Sequence, residues 1–121
     1  MGRVTHFDIN AKDPERAAEF YRNAFGWAVE PFDGPLDYWM IRTGDKEEQG
    51  IDGGIGKGPE GPAVTNFIRV DDIDQAARMI VAAGGTLTTS RTAIPTVGWM
   101  VTFQDTEGNT FGAMQMDPAA G

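Results

Sequence analysis

The chain of 121 residues contains no cysteine, a single histidine and a single serine. Without thiols, disulfides, thiolate nucleophiles and cysteine metal sites are all excluded. The one serine, Ser90, has no elbow-like glycine context, so serine nucleophile catalysis is set aside as well. Basic residues are scarce: 10 stand against 18 acidic ones, a net charge of -8 that works against attraction to nucleic acid or anionic membrane surfaces. Apolar runs are short, with no stretch of 18 to suggest a membrane span, and Met1 leads into a strand-like segment with no secretory signal pattern. These absences point to one cytoplasmic domain whose partner is a small molecule or another protein, with no nucleic acid and no membrane.

What is present is periodic. Residues 3 to 10 alternate, with Phe7 and Ile9 on one side and His6, Asp8 and Asn10 on the other, as in a strand with one covered and one polar face. Asp13-Pro14 then reads as an N-cap and first-turn pair opening a helix, with Ala17, Phe20, Tyr21 and Ala24 on one stripe and a stop near Gly26. Strands are expected near 27–32, 36–43 and 50–56, divided by the turns D33-G34-P35 and G44-D45-K46. The glycine- and proline-rich segment 57–62 reads as a linker. Beyond it come a strand over 64–70 and a helix capped by Asp72, with the stripe Ile73, Ala76, Ala77 and Ile80 and a stop at Gly84-Gly85. Strands near 86–90, 97–104 and 109–116 follow, the last one preceded by the turn D105-T106-E107-G108-N109.

The order of elements repeats. Shifting by 60 residues lays V4-T5-H6-F7 on V64-T65-N66-F67 and W39-M40-I41 on W99-M100-V101. The expected fold is therefore α+β, two repeated β-α-β-β-β modules forming a curled, mixed and mostly antiparallel sheet around a cleft. A single domain spans 1–121, with module one at about 3–57, the linker at 57–62 and module two at about 63–117. The same offset equates His6 with Asn66 and Asp52 with Gly112.

The chain resembles the glyoxalase, bleomycin-resistance and extradiol-dioxygenase superfamily, also called the vicinal oxygen chelate family. The resemblance is carried by T5-H6-F7-D8 leading into P14-E15-R16-A17-A18-E19-F20-Y21, by G50-I51-D52-G53-G54, by V70-D71-D72, and by D105-T106-E107-G108-N109-T110-F111-G112. The stretch I51-D52-G53-G54-I55-G56, the pair G98-W99 and the ending F111-G112-A113-M114-Q115 look like a branch related to lactoylglutathione lyase. Metal-using members draw ligands from the first and last strands of each module. Mapped residue by residue, the resemblance implies His6 and Asp52 as metal ligands and catalytic groups, with Asn66 and Gly112 completing a quartet in which Gly112 has no side chain.

One imidazole, one short carboxylate and an amide oxygen are a poor donor set for a divalent ion. The expectation is no cofactor, or at most a weakly held, exchangeable divalent metal. Each of these residues also has an ordinary reading. His6 fits a polar residue facing water, Asp52 a turn or bulge residue among glycines, and Trp39 and Trp99 paired core or interface aromatics. The functional reading places His6, Trp39, Asn66, Trp99 and Met114 around a substrate. Two functions follow: a lyase, isomerase or dioxygenase acting on a small oxygenated metabolite, or a non-catalytic small-molecule binding protein of the drug-sequestering type. The relatives and the paired tryptophans also suggest a homodimer.

Overall fold

The computed structural model describes residues 2–33, 37–58 and 61–121. Among them are two helices and nine strands, in the order β1 (Arg3–Ala11), α1 (Pro14–Phe25), β2 (Ala28–Pro31), β3 (Tyr38–Arg42), β4 (Asp52–Lys57), β5 (Ala63–Arg69), α2 (Ile73–Ala82), β6 (Thr86–Leu87), β7 (Thr92–Ile94), β8 (Gly98–Gln104) and β9 (Thr110–Met116). The fold is α+β, as the periodicity indicates. Gly34, Pro35 and Leu36, from the expected turn and the start of the expected 36–43 strand, lie outside the described residues, as do Pro59 and Glu60 of the linker segment. The chain divides into two compact units, one of His6–Thr65 and one joining Met1–Thr5 to Asn66–Gly121.

In the His6–Thr65 unit the strands run β2-β3-β4-β1, antiparallel except for the parallel pair β4/β1. A parallel pair needs a long crossover, and α1 lies within it. Asp13 caps this helix by accepting from Arg16 N at 3.1 Å, Pro14 occupies its first turn, and Gly26 ends it in the left-handed region at φ 70°. Ala18, Val29, Ile41 and Ile55 form the buried core, with Phe7, Ile9, Tyr21, Trp27 and Trp39 packed around them. The helix face differs from the expected stripe: Pro14, Ala17, Ala18 and Tyr21 turn inward, while Phe20 is 58% exposed and Ala24 is exposed. Small residues at 17 and 18 let the helix lie close to the sheet, and the larger Phe20 is displaced to the flank against Tyr21.

The second unit repeats the plan. β9 pairs parallel with β5 and antiparallel with β8, and α2 packs Ile73 and Ile80 toward Val101 and Ala113. Asp72 accepts from Asp74 N and Gln75 N, and the Gln115 side chain of β9 accepts from Ile73 N at 2.9 Å, so the start of α2 is tied to the sheet. The expected strand at 86–90 is shorter, and a strand at 92–94 was not anticipated. Both β6 and β7 pair with β8, and between them Thr89 Oγ1 takes the Thr102 amide in place of a ladder partner. A threonine hydroxyl competing with the backbone for that N–H interrupts what would be one edge strand.

The register refines the repeat. Trp39 opposes Ile55 and Trp99 opposes Gln115, while Ile41 opposes Gly53 and Val101 opposes Ala113, so the offset of 60 holds through β3, β4, β8 and β9. It slips in the first strands. His6 opposes Asp52, but it is Phe67 that opposes Gly112. The counterpart of His6 is therefore Phe67 and not Asn66, a correction to the equivalence drawn from V64-T65-N66-F67. Since side chains alternate between faces with a period of two, a slip of one residue puts Asn66 on the other side of its strand. Phe67 is buried, and its ring lies so close to Gly112 that any Cβ there would collide with it.

Candidate functional site

In β1 the alternation read from the sequence is realised. Phe7, Ile9 and Ala11 pack toward α1, and His6 and Asp8 turn to the opposite face of the sheet. There they meet a residue that the sequence did not single out, Tyr38 at the start of β3. His6 Nε2 lies 2.9 Å from Asp8 Oδ1 and 2.9 Å from the Tyr38 hydroxyl, and Tyr38 donates to the same Asp8 oxygen. An ionised carboxylate only accepts, so this arrangement assigns the Nε2–H form to His6 and directs the Tyr38 proton to Asp8. Burial of the ring, reinforced by the Asp8 charge and hydrogen bond, raises the Tyr38 phenol far above its ordinary value. Tyr38 is thus a donor held in its protonated form.

The floor of this cluster is glycine for a steric reason. Asp8 is registered with Gly54, Gly54 opposes Met40, and Gly56 opposes Tyr38. A Cβ at Gly54 would overlap the Tyr38 hydroxyl and ring. The absent side chain is what lets Tyr38 cross β4 and reach Asp8 on β1. Further along the same face, Asn10 donates its amide to Gly61 O at 3.0 Å. The His6 and Asp8 side chains remain 27% and 35% exposed, so the cluster is open to a solute.

Asp52 is next to His6 in the β1/β4 register, but its carboxylate is engaged in the β3–β4 connection. It accepts from Thr43 N at 2.9 Å and from Thr43 Oγ1 at 3.3 Å. Among the described residues, no three His, Cys, Asp or Glu side chains converge as a group able to hold a metal ion. In the other unit Gly112 offers no donor, and Phe67 stands over it. The donor chemistry of these positions does not fit a resident divalent metal.

Trp39 and Trp99 lie on the helix sides of their strands, packed against the two cores, with the guanidinium of Arg22 5.7 Å from the Trp39 ring and that of Arg91 4.4 Å from Trp99. Trp99 Nε1 also donates to Asp117 Oδ2 at 3.1 Å. Met114 alternates with the core residue Ala113 and opposes Met100, so both methionines lie on the face away from α2. An open cavity of about 490 Å³ occurs near Trp39, lined also by Lys12, Arg16, Asp37 and Lys57. Its rim has mixed charge and it lies on the helix side, away from His6. The hydrogen-bonded cluster is the better candidate site, because its groups converge and one is strongly perturbed. Of its members, sequence reasoning assigned a role to His6 and missed Tyr38. Asp8 was legible as the next residue on the same face.

Comparison with known proteins adds three findings. The family described as "Glyoxalase-like domain" matches residues 5–114. A "Glyoxylase-like domain-containing protein" from Didymella fabae is 31% identical over 116 residues, covering 90% of each chain. Among solved structures, methylmalonyl-CoA epimerase from Mycobacterium tuberculosis superposes with TM-score 0.73 at 14% identity, over 95% of this chain and 88% of that one. A Streptomyces coelicolor methylmalonyl-CoA epimerase variant, solved in complex with 2-nitronate-propionyl-CoA, gives TM-score 0.74 at 16% identity, over 98% and 97%. At such identities the structural likeness speaks to the fold.

Proposed function

Since the chain belongs to the glyoxalase-like domain family, we propose that it binds a small oxygenated metabolite on the polar face of the His6–Thr65 unit, with His6, Asp8 and Tyr38 as the anchor. The observation that carries this reading is the closed set of hydrogen bonds among three side chains from two strands, made possible by Gly54. A polar cluster in contact with solvent, positioned by a half-buried phenol, is costly to assemble for stability alone. It offers a ligand preset partners. This anchor works without a metal, in keeping with a donor set that lacks a third carboxylate or imidazole among the described residues.

A catalytic version of the same reading is proton transfer at a carbon next to a carbonyl. Asp8 is the base, and the protonated Tyr38 and His6 Nε2–H hold its charge in place. The fold shared with proteins named as epimerases supports an isomerase-type step over oxidation. The test is a thermal-shift screen of small hydroxy and oxo compounds, followed by calorimetry of any hit with wild type, His6→Ala and Tyr38→Phe. Hits should lose roughly tenfold or more in affinity in both variants, the scale of a charge-assisted hydrogen bond. Hits that bind all three proteins equally would place the ligand elsewhere.

A further inference from the structure

The atoms of the cluster discriminate among ligands, and the following inference rests on the anchor proposed above. Asp8 Oδ1 is saturated by His6 and Tyr38, whereas Asp8 Oδ2 has no hydrogen-bond partner among the described residues, on a side chain 35% exposed. A carboxylate oxygen can only accept. What completes it must be a donor, an O–H or N–H of the ligand or a water that the ligand replaces.

The surroundings have the same sign. Following the register across the sheet from Asp8 through Gly54 and Met40 to Glu30 identifies the residues sharing this face. Among the described residues on these four strands, its charged side chains are Asp8, Glu30 and Asp52 against the guanidinium of Arg42, in a chain of net charge -8. The lysines at the end of this sheet do not alter the balance on the face. Lys57 is registered with Ala11, which packs toward the helix, and Lys12 lines the cavity near Trp39. An anionic ligand would meet both a repelling field and an acceptor that it cannot satisfy.

We infer that the His6–Asp8–Tyr38 site selects a neutral or cationic ligand that presents a hydroxyl or ammonium donor to Asp8 Oδ2, and that it discriminates against carboxylates and phosphates. The epimerases that share the fold are named for an acyl-CoA carrying a carboxylate. The electrostatics of this face set the present chain apart from such a substrate.

The single histidine makes the test direct, because the imidazole proton resonances in the NMR spectrum report on His6 alone. Lactate, propylene glycol and isopropanolamine share a three-carbon skeleton with a secondary hydroxyl and differ in carrying a carboxylate, a second hydroxyl or an ammonium. Titrated at neutral pH, isopropanolamine should move the His6 resonances saturably and most tightly, propylene glycol less tightly, and lactate at least tenfold more weakly than the amine. Asp8→Asn keeps an acceptor for Tyr38 and His6 but removes the charge, and it should abolish the preference, with the dispersion of the spectrum confirming that the variant is folded. Should Asp8→Asn fail to fold, the same series on wild type in high salt should narrow the preference. Tightest binding of lactate would overturn the inference and leave the anchor standing. A preference unchanged in Asp8→Asn or by salt would overturn it also, and no saturable shift with any probe would overturn the inference and the anchor together.

Discussion

At the scale of single residues, Tyr38 and Gly54 act as a pair. The phenol crosses β4 only because Gly54 has no side chain, so Gly54→Ala should push Tyr38 off Asp8 and destabilise the fold by about 1–3 kcal/mol, as overpacking does. Chemical denaturation measures this, and an unchanged midpoint would mean that Tyr38 has room to move aside. The ionisation of Tyr38 gives a second prediction. Its folded value is raised above the unfolded value of about 10, so its contribution to stability is fully present below that pH and is lost as pH rises beyond it, where the unfolded chain gives up the proton first. Phenolate absorbance from Tyr38 should therefore appear together with alkaline unfolding and not before it. Tyr38→Phe should flatten the alkaline limb of the stability curve. Asp52 has a different role, bracing Thr43, and Asp52→Ala should cost about 1 kcal/mol while leaving the affinity for a neutral ligand unchanged. A loss of affinity in that variant would return Asp52 to the binding site.

Among the elements, those with strong local signals were legible from sequence and those set by distant contacts were not. Asp13-Pro14 and Asp72 fix the helix starts through side-chain caps, which are local, and both helices begin where those residues indicate. Asp72→Ala should lower stability by about 1 kcal/mol, a melting-temperature drop of about 4 °C by calorimetry. The face of β1 was legible from its alternation. The register of β5 against β9 was not, because it is decided by where the Phe67 ring fits over Gly112. Identity of letters at offset 60 led to Asn66, but the pairing selects Phe67. Half of the candidate site was hidden for the same reason. Tyr38 joins His6 and Asp8 across 32 and 30 residues of chain, through a contact that neither strand's periodicity encodes. The turn before β9 shows the local case again. Asp105 accepts from Glu107 N and Asn109 N, and bonds from Asn109 and neighbouring backbone amides hold its carboxyl below the usual range. Its stabilising effect is present above the unfolded value and is lost as pH falls through the folded one. Asp105→Asn should make the acid limb shallower.

For the whole molecule, two modules of one plan have diverged in what their equivalent positions carry. Where one unit has His6 beside Asp52, the other has Phe67 beside Gly112, so the polar chemistry is concentrated in the His6–Thr65 unit. No helix among the described residues is long and apolar enough to cross a membrane. Assembly as a homodimer remains the expectation, and the exposed Phe20 and Phe25 on α1 provide apolar area for a partner. Sedimentation at micromolar concentration should give twice the chain mass of 13.1 kDa, and a species of 13.1 kDa alone would count against it. The central claim, an anchor of hydrogen bonds in place of a metal quartet, is tested most directly by calorimetric titration of zinc, nickel, manganese and iron(II) into wild type and His6→Ala. The account predicts no tight stoichiometric binding and the same weak heats in both proteins. Stoichiometric binding to wild type that His6→Ala abolishes would contradict it and return His6 to the role of metal ligand.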